Sequence, residues 1–298
     1  MIKTLAQLVE YLKQQTQKNI VIAGAEEDEL LLAYQAYSQG LAQFILIGDQ
    51  EKLQQYMQQH HIPDNSFRLI NETNHSAAAR LAVKMVRNGE ADIPMKGLMH
   101  TGTFLKAVLD KEQGLATQKR ISQITIFNGY NGTLQFLTDC AINIKPDLKG
   151  KQSIIENSVF VAQKMGYSTP LVALIGSVET VSESMPDTLE SAILTQMNRR
   201  GQIKGCIIDG PLSLDNAISS EAAKHKGIES PVAGKADILV ASELQVANTF
   251  SKALHYYANL DTASVIVGTA SPIIMTSRTD ELKNKLFSIA ASCYLDDK

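Results

Sequence analysis

The chain lacks a surplus of either charge: 28 Lys and Arg stand against 31 Asp and Glu, leaving a net charge of -3 over 298 residues. The charges are spread out, with no basic face and no acidic tail, so nucleic acid is not an expected partner. Cysteine is scarce as well. Cys140, Cys206 and Cys293 are far apart, odd in number and without C-x-x-C spacing, which predicts reduced thiols rather than disulfides or a zinc site. No apolar run approaches the roughly 18 residues that a membrane span requires. The first residues, MIKTLAQLVEYLKQQTQ, space Leu5, Leu8, Val9 and Leu12 as an amphipathic helix and lack the continuous core of a signal peptide. The expectation is a cytoplasmic protein with no membrane partner. A dinucleotide fingerprint is also missing. The turn GAEEDE has a single glycine followed by Glu26, Glu27, Asp28 and Glu29, acids that suit a helix N-terminus but would repel a phosphate. No cluster of carboxylates suggests a metal site.

What is present fits a folded enzyme. Hydrophobic residues make up 44% of the chain and charged residues 20%, and the length suggests roughly two domains. Strand and helix alternate: strand Asn19 to Ala23, helix Glu26 to Ser38 closed by Gly40, and strand Ala42 to Ile47 form one βαβ unit. Helix Leu53 to His60, strand Phe67 to Ile70 and helix Ser76 to Arg87 continue the pattern. Strand Ile121 to Phe127 leads into FNGYNGT, a Gly and Asn turn that reads as a hairpin or as a crossover between domains. From Leu134 the alternation restarts, with a strand at Ile203 to Ile208 and helices at Lys151 to Met165, Asp187 to Arg200, Ser213 to His225 and Glu243 to Ala258. Repeated βα units with short loops imply largely parallel sheets covered on both faces, whose ligands gather at the C-terminal strand ends.

Two stretches stand out at such ends. In Ala263 to Asp280, ASVIVGTASPIIMTSRTD, two short apolar runs end in Thr276, Ser277 and Arg278 ahead of a helical pattern. Thr276 or Ser277 would cap that helix, presenting free N–H groups and a positive dipole end, with Arg278 adding a fork of donors for an oxyanion. An ordinary cap with a surface arginine fits the same residues. In MKGLMHTGTFLKAVLD, Lys96, Gly97, His100, Thr101 and Thr103 fit either a second phosphate cradle or a capped helix with a surface Lys and His. Spacing does not choose between them.

Further residues carry a family resemblance. IDGPLSLDNAIS at Ile208 to Ser219, SPVAGKADIL at Ser230 to Leu239, Asn248, and TSR at Thr276 to Arg278 together resemble the phosphate acetyl/butyryltransferase family. MKGLMHTGTFLKAVLD, LTDCAINIKPDL and MNRRGQIKGCIIDGPL are closer to its butyryl branch. The likeness runs from about Ile93 to the C-terminus and more loosely over the first βαβ unit.

This resemblance implies an acyltransferase interconverting short or branched acyl-CoA plus phosphate with acyl phosphate plus CoA. CoA and phosphate are then substrates, and no cofactor is bound tightly. It implies two doubly wound α/β domains around a cleft, similar to the isocitrate/isopropylmalate dehydrogenase architecture. The first is discontinuous, 1–130 with 264–298; the second, 131–263, would form a homodimer. It also implies that Arg278 binds the transferring phosphate and that Ser277 hydrogen-bonds the thiol or acyl carbonyl. Lys96, Gly97, His100, Thr101, Asp209, Lys235 and Asn248 become substrate-binding candidates, with no metal ligand.

Three departures qualify that picture. Acetyl-branch relatives carry an aspartate, proposed as the thiol base, where Asn284 stands seven positions after Ser277. Asp280 is the remaining candidate, and equally an ordinary helix-start acid. The usual Pro and acidic pair before the next helix is Ser242 and Glu243, and the glycine before Asn248 is Ala247, expected mid-helix with its methyl towards a tolerant surface. A catalytically impaired relative acting as a binding or regulatory protein is the alternative. Another enzyme of dehydrogenase-like fold would need metal-binding acids or a nicotinamide site, neither of which is found.

Overall fold

The computed structural model describes residues 2–296, which fall into two compact units. One unit holds Ala6–Lys119 and the chain from Ala263 onward. Its elements begin with α1 (Leu5–Leu12), β1 (Lys18–Ala25), α2 (Glu27–Ser38), β2 (Ala42–Gly48), α3 (Gln50–Gln59) and β3 (Arg68–Asn71). They continue with α4 (His75–Arg87), β4 (Ile93–Lys96) and α5 (Thr101–Val108). The other unit runs from Arg120 to Thr262 and includes the chain's start through Leu5. It contains β5 (Ser122–Asn128), β6 (Leu134–Thr138), α6 (Leu148–Lys164), β7 (Leu171–Ile175) and α7 (Pro186–Arg199). After these come β8 (Ile207–Leu212), α8 (Leu214–Ile218), α9 (Ser220–His225), β9 (Ile238–Val240) and α10 (Leu244–Tyr256). The chain then completes the first unit with β10 (Thr262–Val267) and α11 (Leu282–Leu295).

In the first unit the sheet order is β3-β2-β1-β4, with every pair parallel. Strand β1 is apolar and buried along nearly its whole length, as a parallel strand covered on both faces must be. Right-handed crossovers put α2 and α3 on one face and, because the strand order reverses after β3, α4 on the other. The packing agrees: α2 meets α3 and α11, while α4 meets α5. Helix α4 owes its place to a stripe of buried Ala78, Ala82, Val83 and Val86, with the Asn74 side chain accepting from the Ala77 N–H at its start.

The second sheet has the strand order β10-β5-β6-β9-β7-β8. Four of them are parallel, whereas β5 pairs antiparallel with β6. The FNGYNGT turn is therefore a hairpin. Gly129 N–H donates to Thr133 O at 2.7 Å, and Gly132 takes a left-handed φ of 75°, which suits glycine.

Three local expectations change. Asp209, Gly210 and Pro211 lie inside β8 rather than past its end, because the strand is set four residues later than its apolar run suggested. The helix expected over Ser213 to His225 is two short ones, broken at Ser219, whose hydroxyl accepts from the Ala222 N–H and restarts the helix. Ala247 does not face a tolerant surface. It is 0% exposed and packs in a core with Cys140, Leu137, Ala241 and Leu254, because α10 turns that side onto the sheet.

The last part of the chain is tied to the first unit: Lys18 pairs with Asp296 at 2.9 Å, Thr117 Oγ1 donates to Gly268 O at 2.7 Å, and Ala270 N–H donates to Leu115 O at 2.9 Å. Ser264 N–H of β10 donates to Ser288 Oγ of α11 at 2.9 Å. A fragment ending at Thr262 is accordingly expected to be insoluble; a soluble fragment that melts cooperatively would contradict this. For Ala247→Gly, lost helix propensity of about 1 kcal/mol adds to the loss of one buried methyl worth about 0.8 kcal/mol. The variant should be destabilised by roughly 2 kcal/mol in urea titration with an unchanged m-value.

Candidate functional site

In a parallel sheet whose order reverses, the crevice outside the carboxyl ends of the two strands flanking the reversal is the natural ligand position. Here that point lies between β1 and β4. The backbones leaving the two strands press together: Gly97 N–H donates to Ala23 O at 2.9 Å and Leu98 N–H to Gly24 O at 2.7 Å. A Cβ on Gly97 would lie 2.2 Å from Gly24 O, so no other residue fits there without moving backbone. Lys96, the residue before it, is half-buried, and its ammonium donates to Gly97 O at 3.0 Å and to Met99 O at 3.3 Å. Two of its three protons are thus held by the loop.

A second element reaches the same rim. After β10 the chain folds back, Ile273 bridging Ile266 antiparallel, and then runs parallel to β4. Ile274 N–H donates to Pro94 O at 3.1 Å and Lys96 N–H to Ile274 O at 3.0 Å. This short pairing carries Thr276, Ser277 and Arg278 out beside Lys96. The Arg278 guanidinium is exposed and has no hydrogen-bond partner among the described residues. Neither Thr276 nor Ser277 caps a helix, however. α11 begins only after Glu281, which makes no side-chain cap bond. Asp280 captures the backbone instead: its Oδ2 accepts the Ser277 N–H at 2.8 Å, and its own N–H returns to Ser277 O at 3.2 Å. Ser277 and Arg278 therefore belong to a closed turn ahead of the helix and do not sit at its dipole end. Asn284, at the position of the acetyl-branch aspartate, is 5% exposed within α11.

Charge on this rim is unbalanced. Burial pulls the Lys96 amine below its usual range, the nearby Arg278 pulls the same way, and Glu29 opposes both. Glu29 belongs to α2, whose start also lies at the end of β1. There Glu26 and Glu29 form a capping box, with Glu26 N–H donating to Glu29 Oε2 at 3.2 Å. Burial raises the Glu29 carboxyl; Asp28 adds to this, while the Glu26 N–H and Lys285 act against it. Read only as a helix-start acid in the sequence, Glu29 lies at the start of α2 at this end of the sheet.

His100 is the N-cap of α5 but makes no side-chain cap bond, and both it and Thr101 are exposed. Next to them, α4 and α5 enclose a cavity of about 440 Å³ lined by Arg80, Lys106, Ser76 and Thr103. Neither cation has an ion-pair partner among the described residues.

The second unit holds the remaining candidates. Asp209 lies on β8 opposite Ala173. Lys235 is exposed on the SPVAGKAD loop, which is tightly built: Ser230 Oγ accepts the N–H groups of Val232 and Ala233 at 3.1 Å each. Gly234 has φ 74°, and a Cβ there would meet the Ser220 Cα at 2.4 Å. The Asn248 amide donates to Cys140 O at 3.0 Å, tying α10 to the segment after β6. Unread in the sequence was Glu179, which accepts from Ser213, Asn216 and Lys226 of the neighbouring motif. Ser213 first and Lys226 next hold its carboxyl below the usual range. Lys96, Gly97, His100, Thr101, Ser277, Arg278 and Asp280 thus belong to one unit, and Asp209, Lys235 and Asn248 to the other. The three cysteines are buried free thiols, with burial pushing Cys140 and Cys293 up to about 12 and Cys206 to about 11. Among the described residues no group of His, Cys, Asp and Glu is placed to hold a metal, and no helix is long and apolar enough to cross a membrane.

Comparison with known proteins bears directly on this arrangement. The chain is 42% identical over 292 residues to the phosphate butyryltransferase of Clostridium acetobutylicum, covering 97% of each. It superposes on a branched-chain phosphotransacylase from Enterococcus faecalis V583 with a TM-score of 0.85 and 31% identity, covering 94% of this chain and 99% of that one. A 4-hydroxythreonine-4-phosphate dehydrogenase from Klebsiella pneumoniae matches at a TM-score of 0.61 and 12% identity over 95% of this chain and 100% of that one. That likeness is one of fold, a dehydrogenase-like architecture of two α/β domains. The sequence pattern of the phosphate acetyl/butaryl transferases matches residues 65–293, and the chain belongs to that family.

Proposed function

We propose that this acyltransferase moves short or branched acyl groups between CoA and phosphate, with the rim of β1, β4 and the Ser277-Arg278 turn as its phosphate site. The observation that carries the reading is the meeting of Lys96 and Arg278 at a topological switch point. A half-buried ammonium with one uncommitted proton and an exposed guanidinium suit a phosphate dianion. In the phosphate-consuming direction, a phosphate oxygen attacks the thioester carbonyl, the carbonyl oxygen gains charge, and the carbon–sulfur bond breaks to release CoA thiolate, which takes up a proton. In reverse, the thiol loses its proton as sulfur attacks the carbonyl carbon of the acyl phosphate, and the carbon–oxygen bond breaks to release phosphate. Ser277 is suited to donate to the charged oxygen or sulfur. Asp280, joined to that serine by two hydrogen bonds in the closed turn, is assigned the thiol proton. Holding both substrates side by side is what converts a two-body attack into an effectively intramolecular one.

The cavity lined by Arg80 and Lys106, beside His100 and Thr101, is suited to the phosphates of CoA. Gly97 shapes the rim. Asp209, Lys235 and Asn248 are substrate-binding candidates within the domain expected at 131–263, which we assign to the homodimer contact. The domain expected at 1–130 with 264–298 carries the phosphate site. We assign the protein to the cytoplasm, with CoA, phosphate and acyl phosphate as its small-molecule partners and no tightly bound cofactor. The impaired alternative loses its main motive, because the Ala247 methyl lies in the core.

Butyryl-CoA or isobutyryl-CoA with phosphate should release free thiol without added metal, measured with a disulfide reagent; equal release without phosphate would mark a hydrolase and end this reading. A lysine supplies a point charge where Arg278 supplies a planar fork. Arg278→Lys should therefore lose roughly 10²- to 10³-fold in kcat, the size typical of one transition-state donor, with an unchanged melting temperature. A variant with normal turnover would remove Arg278 from the site.

A further inference from the structure

We propose that Leu98 sets the acyl preference of the reaction: its exposed side chain is the apolar surface against which the acyl chain lies while phosphate is held at Lys96. This rests on the assignment of Lys96 to the phosphate site. The loop leaving β4 alternates in burial, with Gly97 and Met99 buried and Leu98 and His100 exposed. Its backbone explains the alternation. Gly97 N–H donates to Ala23 O of β1 at 2.9 Å, Leu98 N–H to Gly24 O at 2.7 Å, and Met99 N–H closes back onto Gly97 O at 2.9 Å. The Met99 side chain is held inside, its Cε lying 3.0 Å from where a Gly24 Cβ would stand. The Lys96 ammonium donates to Gly97 O at 3.0 Å and to Met99 O at 3.3 Å, the carbonyls on either side of Leu98. A leucine is thereby fixed, 36% exposed, in the turn that holds the ammonium.

An exposed leucine on a protein surface is ordinary, and the chain has others: among the described residues of the first unit, Tyr11, Leu109 and Leu282 are also large, apolar and exposed. What separates Leu98 from them is the bonding of both its neighbours to the amine that holds phosphate. In the acyl phosphate the acyl carbonyl is joined to a phosphate oxygen, so the chain begins only a few bonds from phosphorus. A dianion at Lys96 sets that chain down beside the same loop. An apolar side chain favours each methylene it shields from water and offers no hydrogen bond to a carbonyl or a phosphate. Leu98 therefore discriminates by acyl length without taking part in the transfer itself.

The experiment is kcat/KM for acetyl-, propionyl- and butyryl-CoA, together with KM for phosphate, in the parent, Leu98→Ala, Leu98→Asn, Leu98→Met and Leu109→Ala, with the melting temperature of each. Leu98→Ala should lower the butyryl-to-acetyl ratio of kcat/KM by roughly 4- to 15-fold, the worth of one to two methylenes, with propionyl-CoA between them and KM for phosphate unchanged. Leu98→Asn, which keeps the size and removes the apolar surface, should do the same. Leu98→Met, still apolar, should hold the ratio near the parent's, and Leu109→Ala, an exposed leucine at the far end of α5, should not move it. An unmoved ratio in Leu98→Ala and Leu98→Asn, in a parent whose thiol release requires phosphate, would overturn the proposal. So would equal losses on all three acyl-CoAs, the sign of a contact to the CoA moiety or of a side chain that only builds the loop. Thiol release that ignores phosphate in the parent would instead overturn the phosphate site on which the proposal rests.

Discussion

Two backbone hydrogen bonds, Ile274 N–H to Pro94 O and Lys96 N–H to Ile274 O, join the end of the chain to the end of β4. Everything proposed for the site depends on this pairing. It places residues 182 positions apart in sequence, Lys96 and Arg278, on neighbouring strand ends that point the same way. It also explains why the first unit is discontinuous. The return from β10 to the 273–274 segment is held by its own bridge to Ile266, and α11 then packs on α2. A loop could not supply the same precision, because its backbone polar groups would need other partners and its ends would move.

The rim is built from elements that each have a structural reason as well as a chemical one. Gly24 and Gly97 bring two strand ends within hydrogen-bonding distance, so that Lys96 leaves β4 in a fixed direction. Asp280 closes the turn that presents Arg278. The capping box starts α2 and holds Glu29. Such double use makes functional side chains hard to separate from caps and turns on geometry alone, and it fixes the backbone from which Lys96 and Arg278 project.

Family motifs in the second unit divide in the same way. SPVAGKAD is a loop whose serine, glycine and backbone are committed to its own closure against Ser220, leaving Lys235 as its exposed charge. Ser213 and Asn216 of the LSLDN stretch and Lys226 at the end of α9 gather around Glu179. Ala247, a departure from the family pattern, fills core space beside Leu254 where a glycine would leave a gap and a weaker helix.

Sequence by itself determined the alternation of buried strands and amphipathic helices, the parallel sheets and the family. Those depend on periodicity, glycine and motif residues that are local in the chain. It also singled out Lys96, Gly97, Ser277 and Arg278 as candidates, through the resemblance. Only the tertiary structure decided where each one sits. Whether Ser277 caps α11 depended on a competition with the Asp280 carboxylate, whether Ala247 faces solvent depended on which side of α10 meets the sheet, and whether Asp209 ends a strand depended on the register of β8 against β7. Each of these depends on which groups meet in space, and distance and burial, which the order of residues along the chain does not carry, fix the strength of such meetings.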